Sequence, residues 1–512
     1  MSGRTHRIVI PPEIAAEMTP AVRAFVVSLI DQIRSLTTQS ETLTKQSETL
    51  VDQVQTLTEQ SQKLADQVQK LTEQSQKLTP RNSSLPPSTD HPHGRPEPKK
   101  KPGKRRKQGG QKGRKRHLRE LIPSVDCKDV FPCKPTACRR CGGELQDDPS
   151  EPLRHQIWEL PEIKPLVFEY QLFRGHCSCC GITTTAELPE GVPSGQCGPR
   201  LAAFTGLLMG HFRQSKRRTA SFLSDLLNIP CSPAWAVKIQ NLVSGATADP
   251  YDELRDNLGV QPQLFVDESP TKENRQKAWL WVAVAQAFAV FGIFANRSRE
   301  SLVSLVGDYK GIILNCDRAK MYLDGKRLQW CWAHLKRDFQ KLIDSTDGQV
   351  KRMGHDLMRQ QKKLFEHWRQ YKAGKLKWEE FQESAQPIKE EIHQLLLRGR
   401  FSGNKKLIGF CTGLYEGRDH LWTFTCVEGI EPTNNTAERA LRPAVIYRKL
   451  SFGTQSASGS RFVERLLSVS ETCRLQNRNA YQYLIEAMEA HFAGRPAPSL
   501  LPTQAQSETV AA

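Results

Sequence analysis

Leucine recurs at every seventh position through residues 36–78, and this repeat restricts the conformation of its segment more than any other feature of the chain. Leucine at position d of a heptad predicts one long helix that pairs in a coiled coil. Four of the seven a positions carry serine, so the apolar seam is weak and needs help from other contacts. We expect self-association over residues 31–79, with a lone solvated helix or an intramolecular hairpin as the alternatives. The leucines are Leu36, Leu43, Leu50, Leu57, Leu64, Leu71 and Leu78.

Positive charge is concentrated in a segment that follows this repeat. The chain of 512 residues has a formal net charge of +18, and residues 95–119 contribute +12 of it, from thirteen Lys or Arg less Glu97. Large apolar residues are scarce in residues 80–120, so we expect a disordered linker. Its cations would bind DNA phosphates without reading the base sequence, and a merely solubilising linker is the alternative. The predicted nucleic-acid-binding residues are Lys99, Lys100, Lys101, Lys104, Arg105, Arg106, Lys107, Lys112, Arg114, Lys115 and Arg116.

Two CxxC pairs come next and predict a small zinc-binding domain over residues 121–195. The first pair precedes Gly-Gly, which permits a tight turn, and strand-like runs such as LVFEYQLFRGHC flank the second. Four thiolates in two such turns supply the tetrahedral ligand set of structural Zn²⁺, and free structural cysteines are the alternative. The expected ligands are Cys138, Cys141, Cys177 and Cys180, with Cys179 as a substitute for one of them.

The beginning of the chain lacks the continuous apolar stretch of a signal peptide. We therefore expect a cytoplasmic protein whose fourteen cysteines are reduced or metal-bound. The apolar run over residues 278–295 is long enough to be considered as a membrane span, but Gln286 interrupts it. Two buried strands joined by a tight turn fit the same residues, so we expect no membrane association.

Residues 196–260 have apolar side chains at helical spacing. Asn228-Ile-Pro followed by Ser232-Pro is typical of the turn and N-cap of a helix-turn-helix. A DNA-binding region and a plain helical packing unit both fit this pattern.

Two apolar strands that each end in an aspartate are predicted beyond this region, at QLFVDES and GIILNCD. A hairpin and a helix near residues 299–306 separate them, which is an α/β order that brings Asp267 and Asp317 to one edge of a sheet. Buried like charges repel, so a divalent cation would stabilise such a pair, whereas turn or helix-cap roles are the alternative for each aspartate. A short strand and helix follow, with Cys331 interpreted as buried and His334 as a candidate for orienting substrate or a catalytic group.

A third carboxylate follows a helical insertion predicted over residues 341–430. In Asn435-x-x-Glu438 the glutamate either binds metal or closes a capping box, in which Asn435 is the N-cap. Several cations on or near the same helix are predicted to hold phosphates, and a solvated basic face is the alternative. These cations are Arg439, Arg442, Arg448 and Lys449.

Several of these segments resemble the transposases of the bacterial insertion-sequence family sixty-six. FVDES, NCDRAKMY, CWAHLKRDF, PTNNTAERALRPAVIYRKLSFG and ETCRLQNRNAYQYLIEAM carry the likeness, which extends from about Leu36 to Phe492. The resemblance implies a ribonuclease H-like core of the DDE class, with Asp267, Asp317 and Glu438 as the catalytic residues that bind Mg²⁺ or Mn²⁺. Cys331 and His334 match the CxxH of that family. The chain departs from the usual sequence of that family at Ser269, at residues 318–322 and at Leu450, but none of these departures removes a carboxylate.

The sequence therefore predicts a multidomain α/β protein and, through the resemblance, a DNA transposase. It would bind the terminal inverted repeats of an insertion sequence, cleave DNA strands with Mg²⁺ and transfer them into target DNA. Expected partners are double-stranded DNA, further copies of the chain and accessory proteins of the same element, at the bacterial nucleoid. The alternatives are a non-catalytic zinc-containing DNA-binding regulator and a ribonuclease H-like repair nuclease.

The expected divisions of the chain are an N-terminal segment (1–30), the coiled coil (31–79), the linker (80–120), the zinc domain (121–195), the helical region (196–260), the core in two parts (261–340 and 431–495) around the insertion (341–430), and a disordered tail (496–512).

Overall fold

The structure, a computed structural model, describes residues 10–78, 119–323 and 327–502. The chain forms two units, Met1–Pro96 and Glu97–Ala512. The predicted phosphate-binding residues between Lys99 and Arg116 lie outside the described ranges, and so do residues 503–512 of the predicted tail.

The described part of the first unit is helical and contains α1 (Pro12–Glu17) and the 59-residue helix α2 (Pro20–Leu78). This confirms the long helix that the heptads predict, although it begins at Pro20 rather than near residue 31. The earlier start follows from Pro20, whose fixed φ suits the first turn of a helix, and from the helix-compatible apolar residues after it. The described leucines of the seam are exposed in the single chain, Leu36 by 64%. Pairing of this seam with another helix stays a prediction.

Residues 119–198 of the second unit have little regular structure. Strands β1 (Arg174–His176) and β2 (Thr183–Thr185) form an antiparallel pair around the second CxxC turn. Of the strand-like run LVFEYQLFRGHC, only residues 174–176 form a strand, because only they have a ladder partner.

Four helices occupy most of residues 199–256, as the apolar spacing predicts. Asn228 ends the second of them in the left-handed conformation, and the Ser232 hydroxyl accepts a hydrogen bond from the backbone N–H of Trp235 to cap the third. The turn that the Asn and Ser-Pro signals predict is therefore confirmed, whereas contact of this helix pair with DNA is untested. The helices are α3 (Pro199–Gly210), α4 (Lys216–Leu227), α5 (Pro233–Ala246) and α6 (Ala248–Asp256).

A mixed five-stranded sheet forms the centre of the second unit, in the order β5-β4-β3-β6-β7. Its first three strands are antiparallel, and β3, β6 and β7 are parallel. The predicted hairpin over residues 278–295 and the helix that follows it, α7 (Arg299–Val306), are both present. No helix of the described residues is long and apolar enough to cross a membrane. The strands are β3 (Gln263–Glu273), β4 (Gln276–Val284), β5 (Ala289–Phe294), β6 (Ile313–Cys316) and β7 (Leu328–Trp330).

Helices make up most of the described chain beyond β7. The predicted insertion is helical, and the aromatic rings of Trp368, Phe381 and Phe424 pack together within it. The helices before residue 430 are α8 (Trp332–Ile343), α9 (Gly348–Lys372), α10 (Trp378–Arg400), α11 (Lys405–Glu416) and α12 (Thr423–Cys426). Those after it are α13 (Asn435–Ser451), α14 (Ala457–Leu475) and α15 (Ala480–Phe492).

Side chains of α14 cover the edge strand β5. The backbone N–H groups of Ala289, Phe291 and Ile293 point away from β4 and would otherwise be unpaired. Their acceptors lie one helical turn apart: Thr472 Oγ1 at 3.1 Å, Ser468 Oγ at 2.9 Å and Glu464 Oε1 at 2.6 Å, respectively. A helix face thus completes the hydrogen bonding of the sheet, which closes this edge to a further strand.

The chain after α15 remains packed against this unit as far as it is described. Leu500 is fully buried, the hydroxyl of Tyr483 donates to Pro498 O at 2.9 Å, and the amide of Gln476 donates to Leu500 O at 2.8 Å. The prediction of disorder from residue 496 is therefore wrong for residues 496–502. The apolar side chain of Leu500 and the nearby carbonyl groups find partners in the core, which the local sequence does not reveal.

Candidate active site

Asp267 and Asp317 lie at the same level of the sheet. Strands β3 and β6 are parallel with Phe265 opposite Asn315, and each aspartate comes two residues later in the chain. Asp317 follows the last residue of β6, whereas β3 continues past Asp267 to Glu273. The prediction that a strand ends at Asp267 is wrong, because β4 extends alongside and pairs with β3 as far as Glu273.

The carboxyl group of Asp267 lies in a poorly solvated environment and is surrounded by other carboxylates. Burial raises its pKa well above the usual value, and repulsion from Glu268, Asp317 and Glu438 raises it further. One hydrogen bond opposes this, from the backbone N–H of Glu268 to Asp267 Oδ1 at 3.0 Å. Oxygen donors that repel one another suit a divalent cation such as Mg²⁺, which favours hard oxygen ligands and neutralises the repulsion.

Glu268 and Arg297 are two residues of this site that the sequence did not single out for a role. The Glu268 side chain is only 2% exposed, and Arg297 Nε donates to its Oε1 at 2.6 Å. Arg297 Nη2 also lies 3.5 Å from Asp317 Oδ2, and the hydroxyl of Tyr322 donates to Glu268 Oε2. Burial raises the pKa of Glu268, and Asp317 raises it further, while Arg297 opposes both. The only sequence signal was the position of Glu268 beside Asp267.

Glu438 lies in the first turns of α13, and it does not cap that helix. The N-cap residue is Asn434, not Asn435, and its side chain makes no capping hydrogen bond. The Asn434 amide N–H instead donates to Val266 O on β3 at 2.7 Å, and its Oδ1 is buried without a hydrogen-bond partner among the described residues. The capping-box alternative is therefore wrong, and the carboxylate of Glu438 contacts Arg337 Nη2 at 3.3 Å.

The loop before α13 crosses the end of the sheet where the aspartates lie. The amide of Asn315 on β6 donates to Glu431 O at 2.6 Å, and the backbone N–H of Trp332 donates to Pro432 O at 3.0 Å. Together with the bond from Asn434 to β3, these contacts fix the start of α13 against three elements. They bring Glu438 close enough to Asp267 to raise its pKa.

The structure brings the three predicted carboxylates to one edge without closing them into a tight group. Among the described residues, only Cys331, His334 and Glu438 form a set of three potential metal ligands whose ligand atoms all lie within 4.8 Å of one another. Arg337, which belongs to α8, contacts Glu438, and Arg297, which follows β5, contacts Asp317.

His334 and Cys331 adjoin Glu438 at the start of α8. His334 Nδ1 lies 3.6 Å from Glu438 Oε1, and Cys331 Sγ accepts a hydrogen bond from the backbone N–H of Asn434 at 3.1 Å. Burial lowers the pKa of His334, and Arg337 lowers it further, so the imidazole is neutral near pH 7. Burial raises the pKa of Cys331 to about 11. The prediction that Cys331 is buried is confirmed.

The predicted phosphate-binding cations of α13 do not share one orientation. Arg448 Nη1 donates to Ser269 Oγ at 2.9 Å and to Pro270 O, so this guanidinium group ties α13 to β3. These bonds use only Nη1 of the guanidinium group, so a role of Arg448 in holding phosphate stays a prediction. Arg442 is exposed and Lys449 is half-buried.

Each predicted zinc turn forms, but the described structure does not join the two. Gly142 and Gly181 both have positive φ, which glycine permits, and their N–H groups donate to Cys138 O at 2.9 Å and Cys177 O at 3.0 Å. Hydrogen bonds from backbone N–H groups, first those of Arg140 and Cys180, lower the pKa of Cys138 and Cys177. Such bonds favour thiolates, which fits zinc ligands, although no three of the predicted thiols meet within 4.8 Å in the described chain.

Known protein families match two parts of the chain. The sequence profile described as "Transposase IS66 family" matches residues 195–461, which include β3 to β7 and the three carboxylates. A family of unknown function (DUF6444) matches residues 27–120.

Two similar proteins come from Sinorhizobium fredii (strain NBRC 101917 / NGR234). "Uncharacterized protein y4qI" is 23% identical over 277 residues, which are 49% of this chain and 51% of that protein. "Uncharacterized protein y4hP" is 24% identical over 441 residues, 76% of each chain. The aligned part thus spans about half the length of the first relative.

Proposed function

Since the chain belongs to the transposase IS66 family, we propose that it is a DDE-type DNA transposase whose catalytic residues are Asp267, Asp317 and Glu438. One observation carries this proposal most directly. Asp267 and Asp317 occupy the same level of neighbouring parallel strands, and Asn434 ties the helix of Glu438 to the strand of Asp267. Carboxylates from three distant segments thus meet at one edge of one sheet.

The proposed catalytic core is ribonuclease H-like and consists of residues 261–340 and 431–495. The mixed order β5-β4-β3-β6-β7 and the helices packed on the sheet support it. Helices α9, α10 and α11 account for the insertion between the two parts.

Asp267, Asp317 and Glu438 would hold Mg²⁺ or Mn²⁺. When bound, such ions stabilise the charge that develops on the entering and leaving oxygens of a phosphodiester. The oxygen donors and the raised pKa of Asp267 fit this occupant. The protein then supplies orientation: Arg297 holds Asp317 and Glu268, and Arg337 holds Glu438.

The substrate would be double-stranded DNA carrying the terminal inverted repeats of an element, followed by target DNA. We assign phosphate binding to the basic residues between Lys99 and Arg116 and to Arg442 and Lys449, and base contacts to the α4–α5 pair. Helix α2 would pair with further copies of the chain, because its leucine seam is exposed. Cys138, Cys141, Cys177 and Cys180 would bind structural Zn²⁺. Accessory proteins of the same element would complete the assembly at the bacterial nucleoid.

The test uses full-length protein and DNA taken from the borders of its own gene, incubated with Mg²⁺. The wild type should nick at the element ends and join them to a second DNA, and Asp267→Asn should do neither. Asp308→Asn is the matched control, since Asp308 lies in the loop before β6 and should leave both products unchanged. An Asp267→Asn protein as active as the wild type overturns the proposal.

The DNA products of this assay also distinguish a transposase from the two alternative functions. A non-catalytic DNA-binding regulator would bind the ends without cleaving them. A ribonuclease H-like repair nuclease would cleave DNA without joining the cut ends to a target.

A further inference from the structure

Cys331, His334 and Glu438 form a compact set of unlike metal ligands outside the aspartate pair. Cys331 and His334 flank the first turn of α8, and Glu438 comes from the first turns of α13. Their sulfur, nitrogen and oxygen atoms all lie within 4.8 Å of one another. Ligand atoms around a single ion must approach one another in this way, since zinc holds sulfur at about 2.3 Å and nitrogen or oxygen at about 2.0–2.2 Å.

The sulfur of Cys331 has the surroundings of a metal-bound thiolate. It accepts the backbone N–H of Asn434 at 3.1 Å, and the N–H groups of His334 and Ala333 also face it. The turn itself is closed by the N–H of His334, which donates to Cys331 O at 3.1 Å. Backbone N–H groups that converge on a sulfur at the start of a helix favour its thiolate form, and here they oppose the burial of Cys331, which disfavours that form.

The imidazole of His334 has an atom that nothing in the described structure uses. Its Nδ1 is buried and has no hydrogen-bond partner. The nearest acidic atom, Glu438 Oε1, is 3.6 Å away, which is too long for a hydrogen bond. A buried ring nitrogen without a partner is costly, and coordination of a metal ion would satisfy it.

An ordinary ion-pair cluster explains these contacts less well. Arg337 already provides the positive partner of Glu438 at 3.3 Å. A neutral His334 adds no charge to that pair. A salt bridge between Arg337 and Glu438 also does not involve the sulfur of Cys331. The arrangement of N–H groups around the sulfur would then serve no ligand.

We propose that Cys331, His334 and Glu438 bind one transition-metal ion, with Zn²⁺ as the expected occupant and one coordination position left open. Thiolate, imidazole and carboxylate together are a zinc donor set, whereas Mg²⁺ and Ca²⁺ favour oxygen alone. Three protein ligands with an open fourth position would admit water or a phosphate oxygen. The thiol proton leaves to solvent when the ion binds.

This site shares Glu438 with the Mg²⁺ site of the proposed function, but its existence does not depend on that function. If both are correct, Zn²⁺ and Mg²⁺ compete for one carboxylate. Added Zn²⁺ should then inhibit Mg²⁺-dependent cleavage, and Cys331→Ser should reduce that inhibition.

The test measures bound metal on the full-length protein after chelation and reloading with Zn²⁺ or Co²⁺. Cys331→Ser and His334→Ala should each bind one equivalent less per chain than the wild type. The Co²⁺ protein with Cys331→Ser should also lose part of the near-ultraviolet sulfur-to-cobalt band. Cys411→Ser is the matched control, because Cys411 is equally buried but lies outside the cluster, and it should bind as much metal as the wild type.

The predicted ligands in residues 121–195 contribute a constant background in this comparison, since none of the variants changes them. Unchanged stoichiometry and an unchanged cobalt spectrum in Cys331→Ser overturn the proposal. If Cys331→Ser fails to fold, His334→Asn replaces it in the test, because it removes the imidazole ligand with little change in volume. This variant should also bind one equivalent of metal less per chain than the wild type. Asp267→Ala separates the two proposals: it should keep the part of the sulfur-to-cobalt band that depends on Cys331 while abolishing cleavage. A wild type that binds this ion but never cleaves DNA contradicts the proposed function alone.

Discussion

The side-chain amide of Asn434 donates a 2.7 Å hydrogen bond to the carbonyl oxygen of Val266, the residue immediately before Asp267. The backbone N–H of the same asparagine donates to Cys331 Sγ at 3.1 Å. One fully buried residue at the N-terminus of α13 therefore joins the strand of Asp267, the start of α8 and the helix of Glu438. Three segments far apart in sequence depend on it for their relative position.

Asn434→Ala should destabilise the protein and reduce cleavage. The substitution leaves the Val266 carbonyl without its donor in a buried place, which costs about 1–3 kcal/mol. It also frees the start of α13, so Mg²⁺-dependent cleavage should fall more than the loss of folded protein explains. Denaturant unfolding and a cleavage assay on the same preparation measure both effects. Asn435→Ala is the control, since Asn435 is exposed and one residue away; equal effects from the two substitutions contradict this role of Asn434.

Ser468→Ala should destabilise the sheet at its β5 edge. Ser468 Oγ is the acceptor for the N–H of Phe291, which becomes an unpaired buried donor, at a cost of about 1–3 kcal/mol. Ser470→Ala offers a close comparison on the same helix, because Ser470 Oγ is buried without a partner among the described residues. That second change should be neutral or slightly stabilising. The free energies of unfolding of the two variants test the difference, and the reverse order contradicts it.

The stability of the protein should fall as the pH rises through neutrality, because of Glu464. Burial raises the pKa of this carboxyl group to about 7 in the folded protein, against an unfolded value of 4.5. The folded state therefore binds the proton more tightly than the unfolded state does. The stability that this proton contributes is fully present below pH 4.5 and is lost as the pH rises through about 7. The loss is roughly 3.5 kcal/mol at most, since one pKa unit corresponds to about 1.4 kcal/mol.

Glu464→Gln provides the measurement for this pH dependence. The amide cannot ionise, yet its oxygen can still accept the N–H of Ile293. The free energy of unfolding of the variant should change less than that of the wild type between pH 5 and pH 8. Ser470→Ala on the same helix is the control, because its side chain does not ionise in this pH range, and it should keep the slope of the wild type. Equal slopes for Glu464→Gln and the wild type contradict the assignment.

The elements of the sheet could be predicted from the sequence because each depends on local signals. The apolar runs before Asp267 and Asp317 and the interrupted run near Gln286 mark buried strands without any long-range information. The helix pair around Asn228 and Ser232 was recognisable for the same reason. The shared level of the two aspartates follows from the parallel order of their strands, which the helix between them implies.

The contacts within the candidate site could not be predicted, because they join residues far apart in the chain. Asn434 and Asn435 are equally good N-cap residues by type, and nothing near them in the sequence predicts the hydrogen bond from Asn434 to the carbonyl of Val266. Arg297 follows β5 in a polar turn that carries no local sign of its contacts with Glu268 and Asp317. The CxxH pair offered two ligands, and the third, Glu438, comes from another helix.

Glu438→Gln should keep the fold and DNA binding while it abolishes Mg²⁺-dependent cleavage. Because Glu438 caps no helix, the isosteric amide removes no capping interaction, and its oxygen can still accept a hydrogen bond from Arg337. We expect a change in unfolding free energy of less than about 1 kcal/mol. A metal ion gains much less from an amide oxygen than from a carboxylate, so cleavage should fall by about 100-fold or more. Glu431→Gln, which alters a surface ion pair with Lys372, is the matched control and should cleave like the wild type. Loss of folding in Glu438→Gln would assign the residue a structural role instead, and wild-type cleavage by this variant would remove it from the catalytic set.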